Sequence, residues 1–266
     1  MVDTKKTAEA LNLFLRPQTD PVAVRMCVSS DELPEKARRP KRDLGISVPV
    51  CQGLAMARRY GWTVAVGKGD QACPHGHAVM GFVPKELYAN GILAEEAGVG
   101  KKEAFAQGAK ALTTLEYGKY RYLLVAPLEK AEFEPDFIMF FGNPAQTARL
   151  VQALTFKSDT LLHFVAGGGR ACSVFIARTI LTEECQVVLA GAGDRYFALT
   201  QDHEMAFTIP VSRAEEVVEG LEMSHRAGLR YPTPSWLRFE GQLPPAYYKF
   251  SDLLLQEGRK QDKDPP

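Results

Sequence analysis

Short apolar runs alternate with amphipathic stretches along most of this chain. The runs are rich in β-branched and aromatic residues and have the length of buried strands; they occupy residues 21–28, 62–66, 122–126, 137–141, 161–165, 187–189 and 203–209. The amphipathic stretches repeat apolar residues at helical spacing; they occupy residues 7–15, 51–60, 145–156, 172–180 and 212–226. This alternation predicts an α+β (mixed α/β) fold, which we expect to form a single domain over residues 7–245.

Two of the predicted helices carry capping signals at their first residues. Asn143 can accept a hydrogen bond from a free backbone amide, and Pro144 suits the first helical position. Ser212 and Glu215 have the spacing of a capping box at the start of the last helix. Both segments are therefore expected to begin as helices at these residues.

Polar segments flank and interrupt the pattern. Residues 29–47 predict a long exposed loop, whose basic cluster around Pro40 has phosphate binding as an alternative use. Residues 246–266 predict a C-terminal extension, and its charged tail from Gly258 to Pro266 is expected to be disordered.

Composition narrows the class of protein. The 266 residues are 45% hydrophobic, and 32 basic side chains balance 32 acidic ones. A globular protein without net charge has no broad electrostatic attraction to nucleic acid or to anionic membranes. The first residues lack the pattern of a signal peptide, and charges interrupt every apolar stretch that could span a bilayer. We expect a cytoplasmic protein that binds neither nucleic acid nor membrane.

Two parts of the chain resemble one another. Each part opens a helix with a cysteine, at Cys51 and Cys172, and continues with an Ala-Arg pair, a short strand and a Gly-Asp turn. The turns end at Asp70 and Asp194. Such a pattern is expected of a domain built from two pseudo-repeated halves, which would place the two cysteines at corresponding positions.

The cysteines are the main candidates for chemistry. Five cysteines in an intracellular chain do not suggest a disulfide framework. Cys51 and Cys172 are predicted at helix N-termini, where free amides favour the thiolate, and Cys73 precedes a proline turn. The three together predict a metal site or an iron–sulfur cluster. Cys27 and Cys185 are expected to be small buried hydrophobic residues.

Other chemistries compete with this prediction. Cys73, His75 and His77 alternate within five residues, a spacing that offers donors to zinc. The aromatic strand at residues 137–141 and the histidines suggest a haem-binding or small-molecule module without catalysis. A thiol-dependent transferase or hydrolase is a third interpretation.

A glycine-rich segment lies between a predicted strand and the helix that carries Cys172. Backbone amides at such a place can approach an anionic group closely. Gly168, Gly169 and Arg170 are therefore candidate cofactor-binding residues, and Asn143 is a further candidate at another helix start.

Several short motifs, in this order, resemble domain-of-unknown-function family 169. They are Pro-Val-Ala-Val at 21–24, Cys-Gln at 51–52, Ala-Arg at 57–58, Cys-Pro at 73–74, Ala-Pro-Leu-Glu at 126–129, Asn-Pro-Ala-Gln at 143–146, Leu-Val-Gln at 150–152, Gly-Gly-Arg-Ala-Cys at 168–172 and Gly-Asp-Arg at 193–195. The family is uncharacterised and occurs mainly in archaea and anaerobic bacteria, which implies compatibility with an oxygen-sensitive metal centre. Members often carry a further cysteine where this chain has Ala-Gly-Ala-Gly at 190–193.

These observations lead to one hypothesis. The chain is expected to bind a redox metal centre, an iron–sulfur cluster, through Cys51, Cys73 and Cys172. Its role would be electron transfer or activation of a small substrate, with a small molecule or a redox protein as partner. The sequence leaves open whether the protein is an enzyme.

Overall fold

The computed structural model describes residues 3–233 and 243–261. The chain divides into two compact units, Met1–Pro232 and Thr233–Pro266. The described part of the second unit is one helix, and the first unit contains the sheet and the remaining helices. None of the helices in the described ranges combines the length and the apolar character needed to cross a membrane.

A six-stranded antiparallel sheet forms the centre of the first unit, with the strand order β2-β3-β1-β4-β6-β5. The strands are β1 (Val22–Cys27), β2 (Val64–Gly67), β3 (Tyr122–Pro127), β4 (Phe137–Gly142), β5 (Gln186–Leu189) and β6 (Met205–Pro210). The helices are α1 (Thr4–Leu15), α2 (Pro40–Leu44), α3 (Val50–Tyr60), α4 (Pro74–Val79), α5 (Lys85–Ala89), α6 (Ile92–Glu96), α7 (Lys102–Lys110), α8 (Pro144–Thr155), α9 (Thr179–Thr182), α10 (Ala192–Ala198), α11 (Ala214–Arg226) and α12 (Pro245–Gln261). The predicted α+β class is confirmed.

Helices cover both faces of the sheet. On one face α1, α8 and α11 pack over alternate strand residues such as Ile138 and Phe207. On the other face, α3 and a π-helix, Ser173–Arg178, pack over strand residues whose side chains point to the opposite side of the sheet, such as Val66 and Met139. Side chains alternate between the two faces of a strand. The strands β1, β4, β5 and β6 contribute to both cores, whereas β2 and β3 contribute to the core under α3 and to a small cluster with Cys27 and Ala37. Of the candidate cysteines, Cys51 and Cys172 contribute to the core on the second of these faces.

The strand order has the internal symmetry that the repeated sequence pattern predicts. Reading outward from the central pair, β1, β3 and β2 on one side match β4, β6 and β5 on the other. The helix α3 precedes the edge strand β2, and the π-helix with α9 precedes the opposite edge strand β5. Pseudo-repeated halves therefore describe the topology as well as the sequence.

A predicted strand at residues 161–165 does not form. The segment has no regular structure, and Leu161 is 82% exposed. An apolar run becomes a strand only when a neighbouring strand satisfies its backbone groups, and no strand of the described sheet pairs with residues 161–165. The prediction was wrong because the composition of a segment does not reveal whether another strand pairs with it.

Three boundary predictions also need correction. Ser212 does not cap α11, because residues 211–213 form a short 3-10 helix and Arg213 is the N-cap residue. The expected loop at 29–47 contains a 3-10 helix and α2, and Arg39 there pairs with the buried Asp70. Residues 258–261 of the expected disordered tail belong to α12, and residues 262–266 lie outside the described residues.

Candidate functional site

Three cysteines from distant parts of the chain line one cavity of about 280 Å³. They are Cys51, Cys73 and Cys172, and the cavity wall also includes His75, Gly169, Arg170, Asp194 and Phe197. A water molecule in the liquid occupies about 30 Å³, so the cavity has room for a group much larger than one ion.

Helix starts place the three thiols at this cavity. Cys51 is the second residue of α3, Cys73 is the N-cap residue of α4, and Cys172 is the N-cap residue of the π-helix. The first backbone amides of a helix have no intrahelical partner, and they carry the positive end of the helix dipole. The wall of the cavity therefore presents backbone donors beside the sulfur atoms.

Burial changes the expected ionisation of two thiols. Burial raises the pKa of Cys51 to about 12, and the negative charges of Asp194 and Cys73 act in the same direction. The same causes raise the pKa of Cys172 well above its ordinary value. The prediction that a helix start favours the thiolate is therefore wrong for these two cysteines, because desolvation outweighs the dipole.

Asp194, which the sequence pattern placed only in a turn, lies at the same cavity. Asp194 is buried, and its Oδ2 accepts a hydrogen bond from the Gly191 amide at 3.2 Å. Burial raises the pKa of Asp194 to about 6. The repeated sequence pattern points to Asp194, because Asp70 occupies the corresponding position in the first half. Asp70 accepts an equivalent hydrogen bond from the Gly67 amide at 3.0 Å.

The two aspartates differ in their charge partners. Asp70 is bound by the Arg39 guanidinium, with Nη2 to Oδ2 at 2.7 Å. Among the described residues no ion pair is formed by Asp194, whose side chain borders the cavity with Cys51 and Cys172. In the first half of the fold an arginine therefore neutralises Asp70, whereas in the second half Asp194 borders a cavity that could hold a ligand.

The glycine-rich segment reaches the cavity in part. Gly169 and Arg170 line it, and the Gly168 carbonyl oxygen accepts a hydrogen bond from Ala192 at the start of α10. Arg170 has a positive φ of 61°. Asn143 is not a lining residue; its side chain caps α8 through Gln146 and donates to the Tyr231 hydroxyl at 2.9 Å.

The remaining candidate donors lie apart from the three cysteines. Cys27 and Cys185 are buried in separate hydrophobic clusters. His77 is on α4 with His75, but it lines a different, apolar cavity. The aromatic strand β4 is wholly buried within the sheet, so its phenylalanines belong to the two cores.

In the part of the chain that the structure describes, the side chains of the cavity are not arranged as a metal site. Across residues 3–233 and 243–261, no group of three or more histidine, cysteine, aspartate or glutamate side chains is arranged to hold a metal ion. Cysteines that ligate a cluster bind different iron atoms, so they stand farther apart than ligands that share one ion.

Comparisons with known proteins add a family and one relative. Residues 10–220 match the model of the DUF169 family, described as uncharacterised ArCR. An uncharacterised protein of Methanocaldococcus jannaschii, MJ0308, is 27% identical over 205 residues, which cover 76% of this chain and 86% of that protein. No solved structure gives a significant match.

Proposed function

Because the chain belongs to the DUF169 family, whose description specifies no reaction, we propose a function from the site itself: the cavity binds an iron–sulfur cluster through Cys51, Cys73 and Cys172. The observation that carries this proposal is the convergence of three cysteines, 22 and 99 residues apart along the chain, on one cavity wall. Thiolates are the usual protein ligands of iron–sulfur clusters.

Burial makes the ionisation of Cys51 and Cys172 depend on a positive charge bound beside their sulfur atoms. Burial favours neutral thiols at Cys51 and Cys172, whereas three thiolates beside Asp194 would repel one another without a compensating charge. Iron supplies that charge, and binding releases the thiol protons. Cluster binding should therefore become stronger as the pH rises.

Three cysteine ligands leave one iron of a four-iron cluster without a cysteine. Open coordination positions allow a metal centre to bind a substrate, while a cluster with four cysteines is suited to electron transfer alone. The cavity beside the cysteines contains Arg170 and His75, which are groups that can bind a small polar molecule. We therefore favour substrate activation over simple electron transfer.

The test is iron and acid-labile sulfide analysis of the full chain, purified and reconstituted without oxygen. We expect several iron and sulfide ions per chain in the native protein. Cys51→Ala, Cys73→Ala and Cys172→Ala should each lose most of the bound iron and sulfide. Cys27→Ala and Cys185→Ala are matched controls, because both remove a buried thiol outside the cavity, and they should retain the cluster.

Two results would reject the proposal. One is a native protein that stays free of iron and sulfide after reconstitution. The other is an equal loss of iron in all five alanine variants, which would indicate iron bound without regard to the cavity. Circular dichroism of each variant separates loss of the cluster from loss of the fold.

A further inference from the structure

An apolar cavity of about 270 Å³ lies in the segment of short helices between β2 and β3. Its apolar wall includes Val83, Leu87, Tyr88, Leu93, Val99 and Phe105. The two histidines of α4 and the Tyr88 hydroxyl supply the polar groups of the wall. Cavities with mainly apolar walls and few polar groups are typical of small-molecule sites.

His75 connects this apolar cavity to the cysteine cavity, because its side chain lines both. Its Nδ1 is 2.5 Å from the Tyr88 hydroxyl, and its ring stacks on Phe105 with centroids 6.2 Å apart. The two cavities are therefore neighbours that share His75, and a single molecule that extends into both would contact both walls.

Arg170 stands at the same boundary. Its guanidinium carbon is 4.7 Å from the centroid of Phe105 and 5.7 Å from that of Tyr88, and the residue lines the cysteine cavity. It is the permanently cationic side chain among the residues that line the two cavities. Within the described ranges, no carboxylate forms an ion pair with Arg170.

We propose that the two cavities together hold one small monocarboxylate with an apolar body. The apolar body occupies the cavity formed by α4 to α7, and the carboxylate binds the Arg170 guanidinium beside the three cysteines. The inference deepens the proposed function, on which it rests for the placement of the carboxylate next to the cluster.

The charge at the boundary favours a carboxylate over a phosphate group. A single guanidinium matches the single charge of a carboxylate and can bind it through two parallel hydrogen bonds. A phosphate monoester carries close to two negative charges at neutral pH, so a single guanidinium would leave one of them uncompensated in a cavity that also contains Asp194. The body of the ligand must be apolar because the adjoining wall is aliphatic and aromatic.

The test is isothermal titration of the full chain, with and without reconstituted cluster, using acetate, butyrate, hexanoate, hexanamide and hexyl phosphate. Affinity should rise about fourfold for each methylene group that enters the apolar cavity. Hexanamide has the same body without the charge, and it should bind roughly ten- to hundredfold more weakly than hexanoate.

Two variants test which residues bind the carboxylate and the apolar body of the ligand. Arg170→Gln should remove the preference for hexanoate over hexanamide, whereas Arg195→Gln, at an exposed arginine that pairs with Asp202, should preserve it. Ala94→Phe should remove the dependence on chain length, because a ring at this lining position fills the apolar cavity. Circular dichroism verifies that each variant is folded.

The outcomes separate this inference from the proposed function. A chain that takes up the cluster but binds none of the carboxylates, or binds hexyl phosphate more tightly than hexanoate, overturns the inference and leaves the cluster in place. Graded binding of carboxylates that depends on Arg170 supports the inference, even in a chain that fails to assemble a cluster.

Discussion

Glu204 is the residue that holds the cysteine-bearing helix α3 against the second half of the fold. Its carboxylate binds the buried guanidinium of Arg58, with Oε1 to Nη1 at 2.6 Å, and it also accepts a hydrogen bond from Arg59 at 3.1 Å. Arg58 in turn lies 3.9 Å from the centroid of Phe141. Both arginines belong to α3, so this carboxylate fixes the helix whose first turn carries Cys51.

Replacing Glu204 by glutamine should destabilise the protein strongly. The variant leaves the Arg58 charge buried without a counterion, and breaking one side of a buried ion pair costs about 3–5 kcal/mol. Urea denaturation measures the free energy of unfolding. Glu216→Gln is the control, because its partner Arg213 is half-exposed and that pair should contribute less than about 1 kcal/mol; equal losses in both variants would contradict the prediction.

The same carboxylate predicts a pH dependence. Burial raises the pKa of Glu204, but hydrogen bonds from Arg58 and Gln201 and the charge of Arg59 outweigh burial and hold it below the ordinary value of 4.5. A pKa that folding lowers contributes stability above pH 4.5, and this contribution is lost as the pH falls from 4.5 towards the folded-state value. The native melting temperature should therefore fall more steeply below pH 4.5 than that of Glu204→Gln, and parallel curves would contradict this assignment.

At the scale of elements, α3 packs unusually close to the edge strand β2. A Cβ atom at Gly53 would lie 2.7 Å from Cγ2 of Val66, which is fully buried. The glycine therefore permits a close approach of helix and strand, two residues after Cys51. This contact sets the distance of the helix from the sheet and with it the place of the cysteine.

Gly53→Ala should lower the free energy of unfolding by about 1–2 kcal/mol. Alanine gains up to about 1 kcal/mol in helix propensity over glycine, but overpacking of a buried contact costs about 1–3 kcal/mol. Chemical denaturation gives the change. Gly258→Ala in α12 is the matched substitution, because the added methyl group meets open space; a stabilised Gly53→Ala variant would show that the helix shifts freely.

The elements that sequence predicts well have their signals within a few residues. Asn143 caps α8 and forms a capping box with Gln146, as local chemistry requires. The run at 161–165 carries an equally clear local signal but forms no strand, because strand formation depends on pairing with residues elsewhere in the chain. The cysteines could be selected by residue type and position. The lack of an ion pair at Asp194 among the described residues and the apolar cavity beside His75 depend instead on contacts between distant segments.

At the scale of the molecule, the sheet and both of its helical layers lie within Met1–Pro232. The family match ends at residue 220, inside that unit. A shortened chain should still include Tyr231, because its hydroxyl accepts a hydrogen bond from Asn143, the cap residue of α8.

A chain that ends after Pro232 should fold by itself. We expect its melting temperature to stay within about 2 °C of that of the full chain, because this corresponds to less than about 1 kcal/mol in a protein of this size. Differential scanning calorimetry makes the comparison. Loss of the cooperative transition would show that residues after Pro232 contribute to the fold of the first unit.

The cluster should act as a cross-link for the whole unit. Its proposed ligands connect the start of α3, the start of α4 and the start of the π-helix, which belong to both halves of the pseudo-symmetric fold. A ligand that binds only the native state stabilises it according to its concentration and affinity, and each 1 kcal/mol raises the melting temperature of such a chain by about 2–4 °C. Reconstitution should therefore raise the melting temperature of the native protein and of Cys27→Ala.

Cys73→Ala separates this cross-linking from general binding of iron. Cys73 is half-buried at the start of a short helix, so its replacement should leave the apoprotein folded while removing one of the three ligands. Reconstitution should then give little or no rise in the melting temperature of this variant. A rise equal to that of the native chain would mean that the stabilising iron is held elsewhere, because a cluster in the cavity cannot connect α4 to the other two helices without this sulfur.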